Sequence, residues 1–224
     1  TKYSEQLPQA DVAAMLNSWF EAVSLIIENS DGEVDKYIGD CVMAVWKEEF
    51  GGTSDAAIKA VLCASRIIAE TDALSVSGVW PHHKNFPWRC RVALNTGEAL
   101  LGSVGGRKKR DYTVLGDTVN LAFRLEGLAG ALGEKLILGQ KTAEGIGGFM
   151  PLNSLGPQKI SGKEEVVEAY SLDWRLALRN GDYLRCRERT ADLLKEFCSL
   201  PICRTILLRL EQELPAELLY HSAD

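Results

Sequence analysis

Long stretches whose apolar residues recur at three- and four-residue spacing alternate along this chain with short apolar runs set in pairs, and a chain written this way can fold only by laying helices on a sheet. Val12, Met15, Leu16, Trp19, Phe20, Val23, Ile26 and Ile27 give the first helical stripe, and Asn29-Ser-Asp-Gly32 ends it with turn chemistry. Two strand-like runs, Glu33–Ile38 and Cys41–Trp46, then flank Gly39-Asp40, the pattern of a tight hairpin. A second helix carries Ile58, Val61, Leu62, Ser65, Ile68 and Ala69, and residues 73–88 read as an irregular excursion. Strand signals return at Arg89–Leu94, Ala99–Val104 and Tyr112–Leu115. A third helix opens at Gly116-Asp117, with Asp117 as the expected N-cap, and bears Leu121, Ala122, Leu125, Leu128 and Leu132. Glu134–Leu138 and Val166–Leu172 read as further strands. An α/β or α+β arrangement of helices on a sheet follows. Beyond Leu172 the text is helical, broken at Asn180-Gly-Asp182, Pro201 and Pro215. So short a helical hairpin makes no robust core alone and is expected to pack on the main domain or on a partner chain.

Charge and cysteine usage narrow the function classes. Twenty-five basic against thirty-one acidic residues leave a net charge of −6, a poor basis for non-specific nucleic-acid binding. No uninterrupted apolar run approaches the roughly 18 residues of a membrane helix. No leader opens the chain, and the six cysteines are scattered without CxxC pairing, so reduced thiols in the cytoplasm are expected.

Several residues can carry chemistry. Asp40, at the hairpin tip, presents a carboxylate to a hard cation such as Mg²⁺, although an aspartate also simply favours a turn. Lys36, Ile38 and Asp40 are spaced to share one strand face, and a lysine in an apolar strand calls for a partner or ligand unless it lies at a solvated edge. Asn120 and Arg124 are four residues apart on the third helix; asparagine can fix a sugar and arginine can fork onto phosphate oxygens. The run Arg107-Lys-Lys-Arg110 is a solvated loop or a lure for an anionic substrate.

The order and spacing of three segments say more than any one residue. Asp35-Lys-Tyr-Ile-Gly-Asp40, Asn95-Thr-Gly-Glu98 and Tyr112-Thr-Val-Leu-Gly-Asp-Thr-Val-Asn-Leu-Ala-Phe-Arg124 resemble, in order, the signatures of the class III adenylyl cyclase catalytic domain. Ile160-Ser-Gly-Lys163 through Leu172 is similar to the closing strand of that family. The resemblance covers residues 1–172 and leaves 173–224 as a helical extension. It implies an α+β fold with a ferredoxin-like βαββαβ core, a mostly antiparallel central sheet with helices upon it.

The resemblance also implies an activity: conversion of ATP to 3′,5′-cyclic AMP and pyrophosphate, with two Mg²⁺ or Mn²⁺ ions per site. Asp40 matches the second of two metal-binding aspartates. Lys36 and Thr113 match the pair that reads adenine, and a threonine there is similar to the bacterial and soluble subgroup often stimulated by bicarbonate. Adenine offers an acceptor at N1 and a donor at its 6-amino group, which suits a lysine donor and a hydroxyl acceptor, whereas guanine presents the opposite pattern. The Thr113 hydroxyl alone does not decide, because it can turn either way. Asn120 matches the residue that orients the ribose, and Arg124 the one that stabilises charge on the α-phosphoryl group. The family divides these residues between the chains of a head-to-tail dimer, so a homodimer with two composite sites is expected. A membrane enters only through an upstream domain of a larger sensor.

Two departures stand against the family pattern. The first metal aspartate belongs to a strand expected upstream of Thr1, and without it the metal site is half built. Ser161 stands where many relatives carry a phosphate-binding lysine, which leaves Lys163 for that role. The competing reading is a catalytically impaired cyclase-homology domain that dimerises or senses nucleotide; a guanylyl cyclase is the other enzyme reading.

Overall fold

The computed structural model describes residues 7–48, 55–76, 88–106, 110–147, 150–160 and 166–172. The elements run α1 (Gln9–Glu28), β1 (Glu33–Ile38), β2 (Cys41–Val45), α2 (Asp55–Val76), β3 (Val92–Leu94), β4 (Leu100–Gly105), β5 (Arg110–Leu115), α3 (Asp117–Leu132), β6 (Leu136–Gly139), α4 (Gln140–Ile146), β7 (Leu152–Lys159) and β8 (Val166–Leu172). This is the expected α+β class. Among the described residues the strands form two antiparallel hairpins, β1-β2 and β4-β5, and a four-stranded sheet in the order β3-β6-β8-β7. In that sheet β3 and β6 are parallel while β6 and β8 are antiparallel. The site elements belong to the first of two compact units, Thr1–Ile146 with Ser154–Ser171. The second joins Gly147–Asn153 to Leu172–Asp224, and among its described residues Gly147 and Met150 form a parallel bridge. The expected extension over 173–224 lies outside the described residues.

Among the described residues two apolar clusters hold the first unit. In one, Met15, Trp19, Val23, Ile26 and Ile27 of α1 meet Cys63 and Ile67 of α2, with Val34, Val42 and Ala44 of the first hairpin packed against them. The indole of Trp19 donates to the Thr71 hydroxyl at 2.9 Å, which donates to the Ile67 carbonyl at 2.7 Å, so the polar groups of these two side chains are satisfied. In the other, Leu125 and Ala129 of α3 pack with Ile137, Ile160 and Ala169, and full burial of a leucine or isoleucine contributes roughly 1.5–3 kcal/mol.

As expected, no uninterrupted apolar run is long enough to span a membrane, although α1 reaches a mean hydropathy of 1.3 over 18 residues and by length and composition alone could cross one; five of its residues are buried in the core. Three expectations need correction. α2 continues to Val76, so the helix takes in the start of the expected irregular excursion. The N-cap of α3 is Gly116, and Asp117 sits one residue inside, where its charge favours the positive end of the helix dipole. Asp40 lies in the turn beyond β1, not on the strand face shared by Lys36 and Ile38, because β1 ends at Ile38.

Candidate active site

Asp40 stands at the tip of the first hairpin. Ile38 pairs with Cys41, leaving a two-residue turn whose first residue, Gly39, has φ +62°, a conformation that disfavours a side chain. The tip leaves Asp40 exposed. Beside it, burial pushes the Cys41 thiol above its ordinary value, and the carboxylates of Glu126 and Asp40 push it further.

At the other end of β1 the ladder slips. Val34 pairs with Ala44 but Lys36 with Met43, so Asp35 is the extra residue of a bulge. Bulges re-aim side chains, and Asp35 turns toward β5. Its side chain is only 4 % exposed, and three donors meet it. The Thr113 hydroxyl donates to Oδ2 at 2.8 Å, the Val114 amide donates to Oδ1 at 3.1 Å, and Lys36 Nζ lies 3.5 Å from Oδ2. Thr113 itself is buried, while Lys36 keeps 35 % of its side chain exposed. The two expected base-reading residues are therefore brought together by a third.

Asn120 and Arg124 lie one turn apart on α3, which starts two residues after β5 ends. Arg124 is half-buried and Asn120 exposed, and among the described residues neither side chain has a hydrogen bond or ion pair. The next charged residue, Glu126, is taken by Arg91 at 3.0 Å. Among the described residues no hydrogen bond or ion pair joins Asn120, Arg124 or Asp40 to the Lys36–Thr113 pair, and Lys163 lies outside the described residues.

Asp35 is the residue that the sequence reading passed over. The available signal was an acidic residue inside an apolar strand text, directly before the lysine; its partner Thr113 is 78 residues away.

The described residues do not amount to a metal site. A hard divalent ion takes six or more oxygen ligands, and among the described residues no three His, Cys, Asp or Glu side chains cluster. Asp40 offers one carboxylate.

Comparison with known proteins gives a consistent answer. The family described as the adenylate and guanylate cyclase catalytic domain matches residues 1–173. Adenylate cyclase 1 of Rhizobium meliloti (strain 1021) is 31 % identical over 176 residues, 77 % of this chain and 25 % of that protein. The terminal-differentiation specific adenylate cyclase of Dictyostelium discoideum is 31 % identical over 175 residues, 77 % of this chain and 8 % of that protein. The structure of a bacterial light-regulated adenylyl cyclase superposes with a TM-score of 0.65 at 28 % identity, over 76 % of this chain and 47 % of that one. The chain thus spans a quarter or less of these two relatives.

Proposed function

The chain belongs to the adenylate and guanylate cyclase catalytic domain family, and on that footing we propose that it forms 3′,5′-cyclic AMP and pyrophosphate from ATP at a homodimer interface. In this reaction the ribose 3′-oxygen bonds to the α-phosphorus, its proton departs, and the bond to the bridging oxygen breaks to release pyrophosphate. The observation that carries the choice of ATP is the convergence of Lys36 and Thr113 on Asp35. A lysine donor suits adenine N1, and a hydroxyl acceptor suits the 6-amino group.

Arg124, without an ion pair among the described residues, is available for the negative charge that grows on the transferring phosphoryl group. Asn120, one turn earlier, orients the ribose. Lys163 takes the triphosphate. Asp40 supplies one metal carboxylate, and the metals are Mg²⁺ or Mn²⁺. The apolar surface supports a dimer: Leu100, 68 % exposed, pairs with the exposed Leu115 across the β4-β5 hairpin, and the exposed Val104 lies on the same face. A contiguous exposed apolar face marks an association surface.

The test is cyclic nucleotide formation from ATP and from GTP, with Mg²⁺ or Mn²⁺, by the chain extended upstream through the expected strand. Cyclic AMP as the dominant product is expected. Faster turnover of GTP overturns the adenine assignment, and ATP binding without turnover by a folded dimer favours a nucleotide-sensing homology domain.

A further inference from the structure

A threonine hydroxyl has one proton and two lone pairs. Which of these it offers a ligand depends on what the rest of the protein does with the proton. Here the proton has a definite destination. Asp35 Oδ2 lies 2.8 Å from Thr113 Oγ1, whereas the competing acceptor, the Val114 carbonyl, is 3.5 Å away. A charged acceptor at the shorter distance wins. The carboxylate cannot readily turn aside, because its second oxygen accepts the Val114 amide at 3.1 Å and its side chain is 4 % exposed. With its proton committed inward, the hydroxyl has only lone pairs left for a ligand.

We infer that Asp35 is a positioning residue that fixes Thr113 as a hydrogen-bond acceptor, and so selects a purine carrying a 6-amino donor against one carrying a 6-carbonyl. The inference rests on the reading of Lys36 and Thr113 as base contacts. It removes the ambiguity of a freely rotating hydroxyl, and it gives the bulge in β1 a purpose: as the extra residue of the bulge, Asp35 has no partner in β2 and is re-aimed out of the regular ladder phase. The same carboxylate lies 3.5 Å from Lys36 Nζ, so one buried group orders both halves of the base contact.

The test compares kcat/KM for ATP, GTP and purine riboside 5′-triphosphate, which lacks the 6-amino group, in the full-length protein. Asp35→Asn keeps the shape and can still accept the Val114 amide, but its amide can donate to Thr113 and free the hydroxyl proton. The ATP-to-GTP ratio should fall about tenfold, the size of one lost hydrogen-bond preference, and the penalty for removing the 6-amino group should shrink to less than about threefold. Asp35→Glu, which keeps an acceptor, should hold the unaltered ratio. If Asp35→Asn does not fold, Asp35→Ala carries the same expectation. A purely structural role would lower activity with all three nucleotides together. Unchanged ratios in a folded variant of a protein that makes cyclic AMP overturn this inference alone. An unaltered protein that makes no cyclic AMP, or prefers GTP, overturns the function reading and this inference with it.

Discussion

The hydroxyl of Thr118 donates to the backbone carbonyl of Glu98 at 2.8 Å, clamping the first turn of α3 to the loop after β3. The Asn95 side-chain amide adds a second tie, donating to the Thr118 carbonyl at 2.9 Å. The Asn95-Thr-Gly-Glu98 segment therefore acts as the seat of the helix that bears Asn120 and Arg124, and the expected reaction chemistry lies on the helix itself.

The seat is tight. A Cβ built on Gly97 would come within 2.5 Å of Thr118 Oγ1. Gly97→Ala is expected to destabilise the protein by about 1–3 kcal/mol, the usual scale of overpacking. Thr118→Ala alone loses one hydrogen bond, about 1 kcal/mol. In the Thr118→Ala background the alanine at 97 should cost much less, because the atom it strikes is gone. Denaturant midpoints of the four proteins give the coupling; an equal penalty in both backgrounds would show that the clash lies elsewhere.

How far the sequence foretold this arrangement depends on the range of the determining contacts. The hairpin at Gly39-Asp40 and the stripes of α1 and α3 follow from short-range periodicity and turn chemistry, and they stand where expected. α4 has only seven residues, too few turns to show a stripe. β7 contains Gly156 and Pro157, which read as a breaker; it forms because it lies at the edge of its sheet, where a missing amide donor is tolerated. The extension of α2 to Val76 is supported from outside the helix, by the bond from Trp19 to Thr71. Asp35 was illegible for the same reason: its bulge depends on pairing with β2, and its role on a strand far along the chain.

Alkaline pH should titrate the buried thiol of Cys63 and the half-buried thiol of Cys90. Burial pushes Cys63 up to about 11 from 9.0, and Cys90 up to about 12. Each folded-state value lies above the unfolded one, so the native state holds the extra proton. The corresponding stability is complete below pH 9 and is lost as pH rises through 11 and toward 12. For Cys63, 2 % exposed, the loss is on the order of 2–3 kcal/mol. Chemical denaturation is expected to show little thiol-linked change between pH 7 and 8 and a steep fall above 9. Cys63→Ala should be less stable at neutral pH, by a cavity term of about 1–2 kcal/mol, yet show a shallower fall, with Cys90 and Cys41 contributing what is left. An undiminished slope in that variant would remove Cys63 from the account.

Arg124→Ala should separate turnover from binding. The charge that its guanidinium meets is larger in the transition state than in bound ATP, so kcat should drop by a hundredfold or more while the KM for ATP moves severalfold at most. Arg124→Lys should recover little, since an ammonium lacks the planar fork. The helix should be unharmed, because Arg124 is only half-buried and Leu125 and Ala129 carry the packing of α3. Steady-state kinetics with a melting curve of each variant decide the matter; proportional losses in kcat and in ATP affinity would contradict the transition-state role.

The dimer reading makes a sharper demand. Asp40 lies on the first hairpin and Arg124 on α3, and among the described residues no hydrogen bond or ion pair connects them within one chain. If each active site takes its metal carboxylate from one chain and its arginine from the other, an Asp40→Ala homodimer and an Arg124→Ala homodimer are both silent. A mixed dimer behaves differently. One of its two sites combines both altered residues, and the other combines two intact ones. Mixing equal amounts of the variants yields about half mixed dimers if exchange is random, each with one whole site of two, so activity should return to about a quarter of the unaltered level. The recovery should track the fraction of mixed dimers, measured by differently tagged chains. No recovery in dimers shown to have exchanged would mean that Asp40 and Arg124 serve the same site from the same chain, and the composite site would have to be abandoned.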